Sequence, residues 1–190
     1  VVVVGGGIIG VSTAYFLAER GVRVVLCEKG VIAGEQSSRN WGWCRSMGRD
    51  PREIPLMLES LRIWRGLNAR LGAETGFRQT GTLYICPDEA AYGKREAWLP
   101  YAREHGIDSV LLRGDRVPDI LTGTTGRWAG ALHTPNDGVA EPALAVPVLA
   151  RASRKLGTTI LQNCAVRGLD MAGGRVVGVV TERGRIAAGT

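Results

Sequence analysis

At 190 residues, with 45% hydrophobic and 22% charged residues, the chain has a soluble globular profile, long enough for one ordinary domain or for part of a larger two-domain protein. Its net charge of +6 comes from 24 basic residues, of which only Lys29, Lys94 and Lys155 are lysines, and the arginines are scattered without a like-charge run or an aromatic-interleaved basic stripe, which argues against nucleic-acid binding. No stretch approaches the roughly 18 apolar residues of a membrane span, the apolar start lacks a signal peptide's charged region and cleavage site, and the four cysteines show no CxxC pair or zinc-like spacing, so they read as reduced thiols of a cytoplasmic protein.

Residues 1–4, all valine, predict a buried parallel strand running into Gly5-Gly6-Gly7-Ile8-Ile9-Gly10. Gly5 allows the tight turn, Gly7 lets backbone approach a pyrophosphate, and Gly10 lets the following helix pack closely on the sheet. The phosphates then sit on the helix N-terminus, where unpaired N–H groups and the helix dipole favour anions. Val11, Ala14, Tyr15, Leu17 and Ala18 form the apolar stripe of that helix, Gly21 ends it, and residues 22–27 form the second strand, with Cys27 as a core residue. Glu28 closes that strand, placed to accept hydrogen bonds from a ribose diol and to repel a 2′-phosphate, so NADP is disfavoured. Strand, glycines, helix and acidic strand end together predict a dinucleotide-binding unit.

Residues 30–50 form a long irregular segment rich in Gly, Ser, Arg and Trp, of a kind that is usually functional in a compact domain. Pro51 begins a helix through about Leu71. A strand over 80–86, a helix from Pro87-Asp88 to about His105, a strand over 110–112, a short helix or turn over 115–121 and a strand over 128–133 follow. Pro135-Asn136-Asp137-Gly138 is turn chemistry. Beyond it come a helix from Glu141-Pro142 to about Leu156 and strands over 158–161, 165–169, 176–181 and 185–188. The expected fold is α/β: a Rossmann-like nucleotide domain of residues 1–72 and 137–190, interrupted by a mixed-sheet (α+β) domain over 73–136. Trp41 and Trp43 read either as a substrate or cofactor wall or as packing of their loop. Tyr84 faces either side of its strand. His105 reads as a helix-end residue, and His133 has no partner for a triad or a metal site.

The glycine motif, Ala-Tyr-Phe-Leu-Ala-Glu-Arg-Gly after it, Cys-Glu-Lys, a Ser-Ser loop and the long helix carrying Trp64 resemble the FAD-dependent amine and amino acid oxidoreductases, the group of D-amino acid oxidase and dehydrogenase, glycine oxidase and sarcosine oxidase. Thr80-Gly81-Thr82-Leu83-Tyr84 resembles the first strand of that family's substrate domain, and Asp137-Gly138-Val139-Ala140-Glu141-Pro142 the segment returning to its flavin domain. The resemblance implies FAD as cofactor, with Gly5, Gly7, Ile8, Ile9 and Gly10 around the pyrophosphate and Glu28, followed by Lys29, at the adenosine ribose. It also implies Ser37, Ser38, Asn40 and Gly42 near the pyrophosphate and isoalloxazine, and Val166 meeting the adenine through its backbone. Arg45, seven residues before Arg52 at the head of the Trp64 helix, stands where sarcosine-oxidase-like members hold the substrate carboxylate, a task suited to a planar guanidinium.

The implied activity is oxidation of the C–N bond of a small amino acid or secondary amine, with oxygen or an electron carrier as acceptor, no metal, and no side chain acting as a catalytic acid or base. An NAD-dependent oxidoreductase and a non-catalytic dinucleotide-binding subunit are the alternatives. Family members continue past residue 190, so the resemblance also implies a chain incomplete at its C-terminus, and the absence of an initiator Met suggests trimming at the other end.

Overall fold

The computed structural model describes residues 1–189. In chain order its elements are β1 (Val2–Val4), α1 (Ile8–Glu19), β2 (Val25–Cys27), β3 (Trp43–Cys44), α2 (Ile54–Leu71), β4 (Thr82–Cys86), α3 (Glu89–Glu96), α4 (Leu99–Glu104), β5 (Val110–Arg113), β6 (Gly130–Thr134), β7 (Gly138–Val139), α5 (Pro142–Lys155), β8 (Thr159–Leu161), β9 (Val166–Ala172), β10 (Arg175–Thr181) and β11 (Gly184–Ala187). Short 3-10 turns lie at Gln36–Ser38, Pro51–Glu53 and Gly114–Asp119. The chain divides into two compact units, one of residues 1–41, 68–76 and 141 onward, the other of 42–67 and 77–140. Both units are discontinuous, whereas the sequence reading expects one interrupted domain, 1–72 and 137–190, around a continuous one over 73–136. Residues 42–67 group with the second unit because β3 pairs with β7 and the start of α2 packs beside α4.

The first unit contains a parallel sheet in the order β1-β2-β8, with Val3 opposite Leu26 and Leu26 opposite Ile160. β1 is less buried than its run of valines predicts: Val3 lies in the core, but Val4 is 60% exposed. α1 buries Val11, Ala14, Tyr15 and Ala18, and it packs on α5, which buries Ala145, Val146, Val148 and Leu149. These residues recur at helical spacing, so each helix turns one apolar face inward. The remaining strands form an antiparallel sheet, β11-β10-β9. Its first hairpin closes between Ala172 and Arg175 through Gly173 and Gly174, both at positive φ, the conformation a two-residue hairpin loop demands.

In the second unit an antiparallel sheet runs β4-β6-β5, with Cys86, Ala131 and Leu132 buried. The single helix expected over 88–105 is two. Asp88 caps α3 through the Ala91 N–H at 2.7 Å, α3 stops at Ala97, and α4 starts at Leu99 with Pro100 in its first turn. Proline has no N–H to continue a preceding helix and is favoured at the start of a new one. Ile54, Ala102 and Ile107 form a buried cluster with Leu58 and Trp98 packed against it.

Candidate functional site

The turn between β1 and α1 is shaped by its glycines. Gly5 adopts φ +104, a conformation open mainly to glycine, and its N–H donates to the Cys27 carbonyl at 2.8 Å. A Cβ on Gly10 would stand 1.9 Å from the Gly5 carbonyl oxygen, so the helix can lie this close to the turn only without a side chain there. A Cβ on Gly6 would meet Ile32 at 2.7 Å and Glu28 at 3.0 Å. Gly7 is the N-cap of α1 and offers no capping side chain. That service comes from Ser37, whose hydroxyl oxygen accepts from the Ile8 N–H at 2.8 Å. The Ile9 side chain points away, 79% exposed, which leaves only its backbone at the turn.

Glu28 follows β2 and is buried. Its two carboxylate oxygens accept separately from the Gly6 N–H at 2.6 Å and the Gly30 N–H at 2.7 Å. The backbone of Glu28 is fixed too, donating to Leu161 and accepting from Cys164. Lys29 turns outward to Glu35 at 2.8 Å, and this shared hydrogen bond raises the lysine pKa and lowers that of the carboxyl. Ser38 and Asn40 bond back onto their own 3-10 turn, Ser38 to the Glu35 carbonyl and Asn40 to those of Gln36 and Ser37. The structure therefore brings Gly5, Gly7, Ile8, Gly10, Glu28 and Ser37 together at the carboxyl ends of the parallel strands. Val166 opens β9 in the antiparallel sheet, paired with Thr181.

Gly42 and Arg45 belong to the second unit. Gly42, at φ +70, accepts from the Ala140 N–H at 2.8 Å and leads into the β3–β7 pair, which the sequence reading missed because each strand has only two residues. Arg45 is half-buried. Its guanidinium lies 5.5 Å from the Trp43 ring and 5.6 Å from the Tyr84 ring, so Tyr84 faces this side of β4, and one of its nitrogens donates to the Met47 carbonyl. Arg45 forms no ion pair among the described residues. Burial pushes the neighbouring Cys44 thiol up to about 12, so it stays protonated at neutral pH and is not a thiolate nucleophile.

The loop after Arg45 is anchored by Asp137, to whose side chain the sequence reading assigns no role. Fully buried, its carboxylate accepts from the Ser46 N–H, the Ser46 hydroxyl and the Met47 N–H.

A glycine turn at a helix N-terminus, with an acidic residue closing the second parallel strand, defines a dinucleotide-binding α/β protein. The profile of the family described as "DAO: FAD dependent oxidoreductase" matches residues 1–189, and the chain belongs to that family. It is 32% identical to sarcosine oxidase subunit beta of Arthrobacter sp over 197 residues, covering 100% of this chain and 49% of that protein. Among solved structures, L-amino acid deaminase from Proteus myxofaciens is 36% identical with a TM-score of 0.92, covering 98% of this chain and 43% of that one. Glycine oxidase from Bacillus cereus is 29% identical with a TM-score of 0.88, covering 98% and 52% respectively. The chain thus spans about half the length of these relatives. Among its described residues no helix is long and apolar enough to cross a membrane.

Proposed function

We propose that the protein carrying this chain oxidises the C–N bond of a small amino acid or secondary amine, such as a D-amino acid, glycine or an N-methyl amino acid, to an imine. The observation that carries this reading is Arg45: a half-buried guanidinium, braced by two aromatic rings and its own loop, that forms no ion pair with a carboxylate of the chain. A substrate carboxylate matches it in charge and in planar, bidentate geometry. The resemblance to proteins named for sarcosine and glycine, small amino acids, points the same way.

The residues of the first unit fit FAD. The Gly5–Gly10 turn, whose close packing on α1 and Glu28 leaves no room for a Cβ on Gly6 or Gly10, and the N–H groups that open α1 suit the pyrophosphate. Glu28 gives one hydrogen bond's worth of capacity on each oxygen to the backbone and keeps lone pairs for a ribose diol. Ser37, Ser38, Asn40 and Gly42 are assigned to the pyrophosphate and flavin ring, Lys29 to the ribose end and Val166 to the adenine. Held by these residues, FAD would supply the two-electron acceptor for the hydride on the carbon next to nitrogen. The chain's own contribution is orientation: Arg45 holds the substrate by its carboxylate and so fixes which hydrogen is presented, an effect that supplies much of the rate when the reacting atoms are held close. The imine then hydrolyses to an oxo acid or aldehyde and an amine. Four free cysteines, Cys27, Cys44, Cys86 and Cys164, support a reducing, cytoplasmic setting.

The test is an absorption spectrum of the whole protein, followed by anaerobic addition of D-amino acids, glycine and N-methyl amino acids. Flavin bands bleached by one of them support the reading and name the substrate. Flavin bands that none of them bleaches would sink it in favour of a binding-only role, and a protein without flavin bands would point to NAD.

A further inference from the structure

Arg95, on α3, lies outside every motif of the sequence. Its guanidinium carbon sits 4.3 Å from the centre of the Tyr84 ring, the same ring that Arg45 approaches to 5.6 Å. A Cβ on Gly48 would stand 3.7 Å from a terminal nitrogen of each arginine, so those two nitrogens are no further apart than twice that distance. Eight of the 21 arginines form ion pairs among the described residues, Arg52 with Asp50, Arg62 with Glu59, Arg113 with Glu89 and Arg185 with Asp170 among them. Neither Arg45 nor Arg95 has such a partner among the described residues.

Two cations held beside one ring repel each other, and the Tyr84 face compensates them only in part. A single carboxylate bound bidentately to Arg45 satisfies one guanidinium and leaves the charge of the second unmatched. We propose that Arg95 is a second substrate-binding residue and that the pair selects amino acids bearing two carboxylates, either on the side chain or on the nitrogen substituent. This rests on the reading of Arg45 as the carboxylate ligand, and it narrows the substrate from small amino acids in general to dicarboxylic ones. The stem of Arg95 is positioned by α3 and its head by Tyr84, so the second anion site is present before substrate arrives.

Calorimetric titration of the whole flavoprotein with malonate and with acetate tests this without requiring turnover. Malonate is expected to bind about tenfold tighter than acetate, the gain of one further charge-assisted contact. Arg95→Gln is expected to remove most of that advantage while acetate affinity changes by less than about twofold, and Arg45→Gln to weaken both probes. Arg95→Lys serves where the Gln variant disturbs folding. It keeps the charge but not the planar fork, and it is expected to lower the malonate advantage in part. Equal affinity for the two probes in the unmodified protein, or an Arg95 variant that weakens both alike or leaves the advantage intact, would overturn the inference. Malonate selectivity in a protein that bleaches with no amine would sink only the reading of the activity. Amine oxidation without malonate selectivity would sink only the role of Arg95.

Discussion

Asp137 and Ser46, 91 positions apart, are joined through a single carboxylate oxygen: the Ser46 N–H at 2.7 Å and its hydroxyl at 2.8 Å both donate to Oδ1 of Asp137. The other oxygen takes the Met47 N–H at 3.1 Å. The segment directly after Arg45 is therefore held by a buried side chain that arrives with β7. Any role of Arg45 depends on this anchor, because its guanidinium is itself steadied by the Met47 carbonyl.

Replacing Asp137 by Ala leaves three donors without their acceptor in a buried place. Each unsatisfied donor costs about 1 to 3 kcal/mol, and partial relaxation brings the expected loss of stability to on the order of 3 kcal/mol. Asp137→Asn keeps one acceptor oxygen but turns an NH2 group toward a donor, so it also destabilises, by less. The midpoint of urea unfolding measures both. An Asp137→Ala midpoint equal to that of the unmodified protein would remove the anchor from the account.

Gly5 and Gly10 predict two different failures in one turn. Gly5→Ala meets no atom within 4 Å, so its cost is confined to the φ of +104. It should lower stability by about 1 to 2 kcal/mol and leave flavin binding measurable. Gly10→Ala drives a Cβ to within 1.9 Å of the Gly5 carbonyl and, 3.4 Å away, against Val3, so the turn and the start of α1 must move. Flavin content after purification and the thermal midpoint separate the two: the Gly5 variant retains flavin at reduced stability, and the Gly10 variant loses both.

Much of the first unit was legible in the sequence because its signals are local. A glycine turn, a helical apolar stripe and an acidic strand end all fall within 28 residues. The fold family followed from the order of such segments. The Asp137 anchor and the β3–β7 pair were not legible, since each joins residues more than 90 positions apart through two-residue strands or one side chain. Arg95 gave no signal at all: an arginine on an amphipathic helix reads as solvated surface until Tyr84, from the preceding strand, is seen beneath it. The capping of Ile8 by Ser37 was not legible either, because it follows from a turn whose geometry no pattern announces. The division of the long helix over 88–105 was foreseeable from Pro100.

Asp50 supplies a pH dependence whose direction is set. Its carboxylate caps the 3-10 turn ahead of α2 and pairs with the Arg52 side chain, which lowers its pKa from the ordinary 3.8 to about 2. A group depressed in the folded state stabilises that state above its unfolded pKa, and the contribution is lost as pH falls from near 4 through about 2. Carboxyl titration by NMR should show Asp50 still largely ionised at pH 3. Asp50→Asn should flatten the acid limb of the stability curve in this window while leaving its slope at neutral pH unaltered. A normal titration midpoint for Asp50 would mean that the Arg52 contact does not persist in solution, as exposed ion pairs often do not.

Gly48 is where the dicarboxylate reading and backbone physics make a joint prediction. Its φ of +64 is disfavoured for any residue with a side chain, and a Cβ there would press to 3.2 Å of the Tyr84 ring while standing 3.7 Å from a nitrogen of both Arg45 and Arg95. Gly48→Ala should therefore cost about 1 to 2 kcal/mol of stability and also crowd the space where the two guanidinium groups converge. Stability alone cannot separate these effects, but the ratio of malonate to acetate affinity can. Backbone strain weakens both probes together, whereas a methyl group at the junction of the two arginines penalises the larger, bridging anion first. A ratio that falls toward one in Gly48→Ala, with acetate binding nearly retained, places both carboxylates at that junction. A ratio that survives the substitution means that Arg95 does not share an anion with Arg45 across Gly48.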